Sequence, residues 1–166
     1  MGCAPPRRRE ASRVVSLDDE RQQGWEIRPL DSSEVEVVGD VLGLARLHQG
    51  DGFYLVAWQD GAPIGHLHLA LSDPPELQDV AVRPSHQRRG VGTALVAAAE
   101  GEAQALGFQE MHLEVSADHL AAQSLYRRCG YVDAGLPTRR VTGTVMIRTG
   151  AIEVDDRLIT WTKRLG

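Results

Sequence analysis

One stretch constrains this chain more than any other: residues 76–106, ELQDVAVRPSHQRRGVGTALVAAAEGEAQAL. Its first part, Glu76 to Arg83, carries Leu77, Val80, Ala81 and Val82 and reads as a strand that Pro84 ends. Apolar residues then recur at Val91, Leu95, Ala98, Ala99 and Leu106, close to the period of a helix, and Gly107 supplies a left-handed stop. Between strand and helix lies the turn Gln87-Arg88-Arg89-Gly90-Val91-Gly92.

The physics of that turn points to an anion. The start of a helix leaves its first N–H groups unpaired and carries partial positive charge. Two glycines clear side chains from the line of approach, so the N–H groups of residues 88–93 can converge on a phosphate. Arg88 and Arg89 add charge beside them. Two common nucleotide motifs are excluded. The phosphate loop needs Gly-Lys-Ser/Thr, and the dinucleotide fingerprint needs a glycine where Leu95 stands. The plain alternative is a tight strand–helix connection with surface arginines.

The turn resembles the Q/R-x-x-G-x-G/A signature of the GNAT superfamily of acyl-CoA-dependent N-acetyltransferases. Val80-Ala81-Val82-Arg83-Pro84 resembles the family's apolar strand before the turn, and Leu125-Tyr126-Arg127-Arg128-Cys129-Gly130-Tyr131 is similar to its L-Y-x-x-x-G-F/Y motif. The resemblance covers residues 25–134 well and the remainder loosely. It implies an α/β (α+β) fold with a mixed, mostly antiparallel sheet flanked by helices and splayed between the fourth and fifth strands. It implies acetyl-CoA as co-substrate, with Val80, Ala81 and Val82 along the pantetheine and Gln87, Arg88, Arg89, Gly90, Val91, Gly92 and Thr93 around the pyrophosphate. His119 stands where the family often has a CoA-contacting Asn.

The rest of the chain fits that order. Residues 1–23 are polar and arginine-rich without periodicity, which predicts a disordered tail ahead of one domain over 24–166. Trp25 to Leu30 reads as a first strand, and Asp31 or Ser32 as the cap of a helix over 33–47 with Val35, Val38, Leu42 and Ala45 on one face. Phe53–Trp58 and Pro63–Leu71 read as a hairpin through Asp60-Gly61. Within it, His66 and His68 read as surface or core-edge residues rather than metal ligands. Met111–Val115 alternates as a strand, and Ser116 or Asp118 is the expected cap of the next helix, which Gly130 ends. Tyr131-Val132 starts another strand and Leu158–Thr162 is the last. Residues 135–156 read as a long connection, with room for a short hairpin through Val145-Met146-Ile147 and Gly150.

Composition narrows the partners. A net charge of −5 disfavours nucleic acid and suits a cationic small molecule. No apolar run reaches membrane-spanning length, and the arginine-rich start lacks the apolar core of a secretory signal, so a cytoplasmic protein is expected. Cys3 and Cys129 do not make a disulfide framework. No metal is expected. Homodimers are common in the family.

Acyl transfer to an amine needs the amine neutral, although an alkylammonium with a pKa of about 10.4 is almost wholly protonated at neutral pH. It needs the oxyanion stabilised and the departing thiolate assisted. Direct attack in a ternary complex needs no acyl-enzyme, so Cys129 reads as structural. The resemblance makes Tyr126 the general acid facing the CoA sulfur. Glu76 falls where some family members keep a catalytic glutamate, and Asp79 competes with it for the role of base. A bulge is expected in this strand, so alternation does not choose between them. Beside the enzyme stand two other readings. One is a non-catalytic acyl-CoA sensor. The other is an acyltransferase with another donor or a protein N-terminus as acceptor.

Overall fold

The computed structural model describes residues 24–44, 47, 51–147 and 150–166. The tail predicted over 1–23 and Ala45 lie outside them. Eight strands form one sheet: β1 (Glu26–Pro29), β2 (Gly52–Gln59), β3 (Ala62–Ala70), β4 (Glu76–Val82), β5 (Glu110–Ser116), β6 (Val132–Asp133), β7 (Arg139–Ile147) and β8 (Gly150–Arg164). Their order is β1-β2-β3-β4-β5-β8-β6, with β7 also on β8. Among the described strands only β4 and β5 run parallel, and every other pair is antiparallel. Among the described residues there are three α-helices: α1 (Val35–Leu42), α2 (Val91–Ala105) and α3 (Leu120–Arg128). This is the mixed α/β fold that the resemblance implied.

Central strands bury both faces, which is why β2 and β3 read as nearly continuous apolar runs. Asp60 and Gly61 both take positive φ, 51° and 76°, the requirement of a two-residue hairpin turn. The larger core lies between the sheet and α2 and α3. It gathers Leu55, Leu67 and Leu69, Leu95, Val96 and Ala99, Met111 and Leu113, Tyr131 and Trp161. A smaller cluster joins Val38 of α1 to Tyr54, Val56 and Trp58 on the other face.

Four readings of the sequence change. The helix predicted over 33–47 is a short 3-10 turn (Ser32–Glu34) followed by α1 alone. Asp31 and Glu34 form a capping box, with Arg28 held bidentate on Glu34 at 2.8 and 2.7 Å. Gly43, left-handed at φ 69°, then stops the helix after a run of β-branched residues that support it poorly. In the segment 135–156 the hairpin through Val145-Met146-Ile147 and Gly150 is present but far longer than expected: Arg139–Ile147 pairs with Gly150–Leu158, leaving little irregular connection. Of the two places expected for His66 and His68, the surface or the edge of the core, the surface is ruled out: both are buried. His68 bonds Gln78 at 3.0 Å and its ring lies 4.8 Å from that of Tyr54. Finally, neither Ser116 nor Asp118 caps α3; His119 does, its Nδ1 accepting the Ala122 N–H at 3.1 Å.

Candidate active site

The site begins with a strand pair that comes apart. β4 and β5 pair only at Glu76 with His112 and Leu77 with Leu113. Two residues on, Asp79 takes φ +52°, and the β3–β4 register slips between His66 and His68. This is the expected bulge, and a bulge bends its strand. It opens a wedge between β4 and β5. Arg83 donates its N–H to Ile64 of β3 at 2.8 Å. By strand alternation Val82, and Val80 before it, turn their backbone groups to the opposite, open edge. The Gln87 side chain reaches that edge, donating to the Val82 carbonyl at 3.0 Å. Ala81 pairs with His66, so its backbone faces β3.

The open edge leads into the glycine turn. A 3-10 turn over Pro84–His86 gives way to Arg88 at φ 60° and Gly90 at φ 88°. Gly90 caps α2 without a side-chain hydrogen bond, and the first helical bond is Ala94 N–H to Gly90 at 3.0 Å. The N–H groups of Val91, Gly92 and Thr93 precede it in the first turn, where a helix offers them no backbone acceptor, beside the exposed Arg88 and Arg89. The two glycines serve differently. Gly90 is needed for its left-handed backbone, because a Cβ there would meet nothing within 4 Å. Gly92 has ordinary φ, and its Cβ would stand 3.5 Å from Leu125 Cδ2, an ordinary contact. The protein itself therefore leaves ordinary room for a Cβ at position 92. Val91 is fully buried and anchors the helix start.

Across the wedge stands Tyr126 on α3. Its ring meets Tyr131 edge-on at 6.1 Å. Burial, with Cys129 and Asp79 adding to it, pushes the phenol up to about 12, so it is a protonated donor throughout the neutral range. Tyr126 lines a cavity of about 380 Å³ together with Glu114, Val115, Ser116, Asp118, His119, Ala122 and Asp156. His119, having used Nδ1 on the helix start, lines the same cavity. Cys129 is half-buried, and burial, reinforced by Glu100, raises its thiol above the ordinary value despite Lys163, Arg128 and the Thr93 hydroxyl acting the other way. A thiol held protonated is a poor nucleophile. Thr93 thus faces Cys129 as well as opening α2.

The structure separates the two candidate bases. Glu76 sits at the closed end of the wedge, where it accepts from Gln78 Nε2 at 3.1 Å and lies 3.9 Å from His112 Nε2. Gln78 is in turn fixed by the buried His68. Asp79 lies at the bulge, exposed, and it is the carboxylate whose charge reaches Tyr126. Sequence reasoning missed Glu114, Ser116, Asp118 and Asp156 as cavity residues. Alternation along β5 puts Glu114 and Ser116 on one face and carried that signal; Asp156 was hidden in the misread segment. Among the described residues, no three His, Cys, Asp or Glu side chains are placed to hold a metal ion, and no helix is long and apolar enough to cross a membrane.

Residues 15–131 match the model of the acetyltransferase (GNAT) family, and the chain belongs to that family. Solved structures share its fold. The ribosomal-protein-S18-alanine N-acetyltransferase from Escherichia coli aligns with TM-score 0.66 at 21% identity, covering 86% of this chain and 94% of its own. A Bacillus anthracis structure assigned as a streptothricin acetyltransferase, solved in complex with acetyl coenzyme A, aligns with TM-score 0.65 at 16% identity over 84% and 99%. The spermidine/spermine N-acetyltransferase from Vibrio cholerae aligns with TM-score 0.62 at 16% identity over 85% and 95%. No curated protein matches the chain in sequence.

Proposed function

We propose that this chain is an acetyl-CoA-dependent N-acetyltransferase acting on a primary amine by direct attack in a ternary complex, within one domain over 24–166. The observation that carries the reading is the β4–β5 wedge. Its open β4 edge runs into an uncapped helix N-terminus at one end and lies opposite a buried phenol. Acetyl-CoA matches these features in order. Its pyrophosphate suits the cradle of Val91, Gly92 and Thr93, its amide-bearing arm suits the N–H and C=O groups of Val80 and Val82, and it brings an activated thioester. The structural neighbour bearing acetyl coenzyme A supports the choice of donor, and those named for S18 alanine and for spermidine support an amine acceptor.

The chain's own groups then divide the work. A backbone N–H on the open edge of β4, at Val80 or Val82, donates to the oxygen that gains charge. Tyr126 donates a hydrogen bond toward the sulfur as negative charge develops on it. Glu76 accepts the amine proton directly or through one water, with Asp79 as the competing base. Cys129 stays out of the chemistry. The reading includes a cytoplasmic location, a homodimer and small-molecule or peptide acceptors. Purified protein screened with acetyl-CoA against an amine library, with free CoA thiol as readout, tests it. Release of thiol that depends on an amine is the expected result. Acetyl-CoA binding without turnover on any amine would make the chain a sensor instead.

A further inference from the structure

We infer that Gln78 is a positioning residue for Glu76: its amide, itself fixed by the buried His68, holds one carboxylate oxygen and leaves the other to take the amine proton. The inference rests on the acetyltransferase reading with Glu76 as base and extends it to the residues behind that base. A row of polar side chains crosses the sheet on the face that α1 covers. Tyr54 of β2 belongs to the cluster around Val38, and the His68 ring of β3 lies 4.8 Å from it. His68 stands opposite Gln78 of β4, and Glu76, two residues back on the same face, stands opposite His112 of β5. Leu77 between them joins the larger core on the other side.

The bonds along this row run in one direction only. An ionised carboxylate accepts and never donates. The 3.1 Å contact with Glu76 Oε2 therefore takes the amide nitrogen of Gln78, and the amide oxygen faces His68. That oxygen also only accepts, so His68 carries a hydrogen on Nδ1, 3.0 Å away. His68 is only 2% exposed. The base is thus tied through one amide to a ring set in the core. His112 Nε2, at 3.9 Å, stands beside the same oxygen, Oε2. Oε1 has no partner among the described residues.

This arrangement suits a base. The proton leaves the amine for Oε1, and the electron pair stays on nitrogen for its attack on the acetyl carbon. Before transfer Oε2 is a carboxylate oxygen; afterwards it is the carbonyl oxygen of the acid. It accepts from Gln78 in both states, so the frame does not reorganise during the step. A cation bound to Glu76 would hold it in its charged form and oppose proton uptake. The arginine nearby is spent elsewhere: Arg139 donates from Nε to Glu114 at 3.0 Å. Gln78 supplies direction without charge. It also ties β4 to β3 beside the register slip between His66 and His68, and a purely structural role of that kind predicts a different outcome.

Gln78→Met keeps the length of the side chain and removes both polar ends. With one confirmed amine acceptor, kcat is expected to fall about tenfold, the worth of one hydrogen bond to a charged group, while KM for acetyl-CoA holds. Gln78→Glu keeps an acceptor for His68 but turns a second carboxylate on Glu76, and it should lose at least as much. In a Glu76→Gln background, adding Gln78→Met should change kcat by less than about twofold, because no base is left to position. A structural role costs the same factor in both backgrounds. Nitrogen-15 NMR of the wild-type histidines reads the chain without turnover and should find hydrogen on Nδ1 of His68. Wild-type kcat in folded Gln78→Met or Gln78→Glu, equal losses in the two backgrounds, or a bare Nδ1 on His68 overturns the inference. Wild-type kcat in Glu76→Gln overturns it as well, and leaves the acetyltransferase reading standing with Asp79 as base. If no amine at all is acetylated, it is the acetyltransferase reading that fails, and the inference falls with it.

Discussion

Tyr126→Phe removes one hydroxyl from the wall of the cavity and leaves the ring packed against Tyr131. The structure sets the size of the effect. A phenol pushed up to about 12 faces a thiolate whose conjugate acid has a pKa of about 8.5, so complete proton transfer is uphill by about 5 kcal/mol. The hydroxyl therefore helps as a hydrogen bond that strengthens while charge builds on sulfur, not as a group that hands over its proton first. A charge-assisted bond of that kind is worth roughly 1.5–3 kcal/mol, or about 10- to 10²-fold in kcat. The assay is single-turnover acetylation followed by thiol release, with acetyl-CoA affinity measured by calorimetry. Affinity should hold while the rate falls by the same factor from pH 6 to 9 (assay range, about), since the phenol stays protonated throughout. An acetyl thioester with a more acidic leaving thiol should lose less. Wild-type rate in a folded Phe variant with chemistry limiting, or an equal loss with the better leaving group, would refute the role.

Other outcomes follow from the same geometry. Glu76→Gln should lower kcat/KM strongly near neutral pH and recover at high pH, while Asp79→Asn costs less; a pH–rate profile in which only Asp79→Asn removes the acidic limb would make Asp79 the base. Gly92→Val should weaken acetyl-CoA binding with a small loss of melting temperature, because the protein leaves ordinary room at that Cβ. Gly90→Val should cost about 1–2 kcal/mol of stability from its left-handed backbone, so calorimetry and thermal melts separate the two. Burial raises the phenols of both Tyr126 and Tyr131, so the stability they contribute is complete below their ordinary value of 10.0 and is lost as pH rises through the folded values. Tyr126→Phe and Tyr131→Phe should each flatten the alkaline fall in melting temperature.

The sheet order from β1 to β5 was legible because each element carries its own local signal. Asp60-Gly61 demands a hairpin, Pro84 ends β4, and Gly90 and Gly107 bracket α2. The cofactor turn was legible for the same reason: its chemistry lies in consecutive residues. What sequence missed depends on long-range pairing. Arg139–Ile147 reads weakly as a strand because Thr142, Gly143 and Thr144 interrupt its apolar residues, and only pairing with β8 makes the alternation of Val141, Val145 and Ile147 with Ile152 and Val154 visible. Asp156 reaches the cavity only through that hairpin. Sequence left His68 between the surface and the core edge because a strand pattern does not reveal which strands are covered on both faces. The choice between Glu76 and Asp79 was closed to sequence for another reason: the bulge at Asp79 breaks the alternation that would assign them.

The central claim is direct transfer of an acetyl group to an amine in the β4–β5 wedge. Acetyl-CoA labelled in its carbonyl carbon, mixed with enzyme and a confirmed acceptor and followed by mass spectrometry of both small molecules and protein, tests it most directly. The account predicts one labelled amide per free CoA thiol and no label on the protein, Cys129 included. Thiol release without amide, or an acetyl group carried on Cys129, would contradict it.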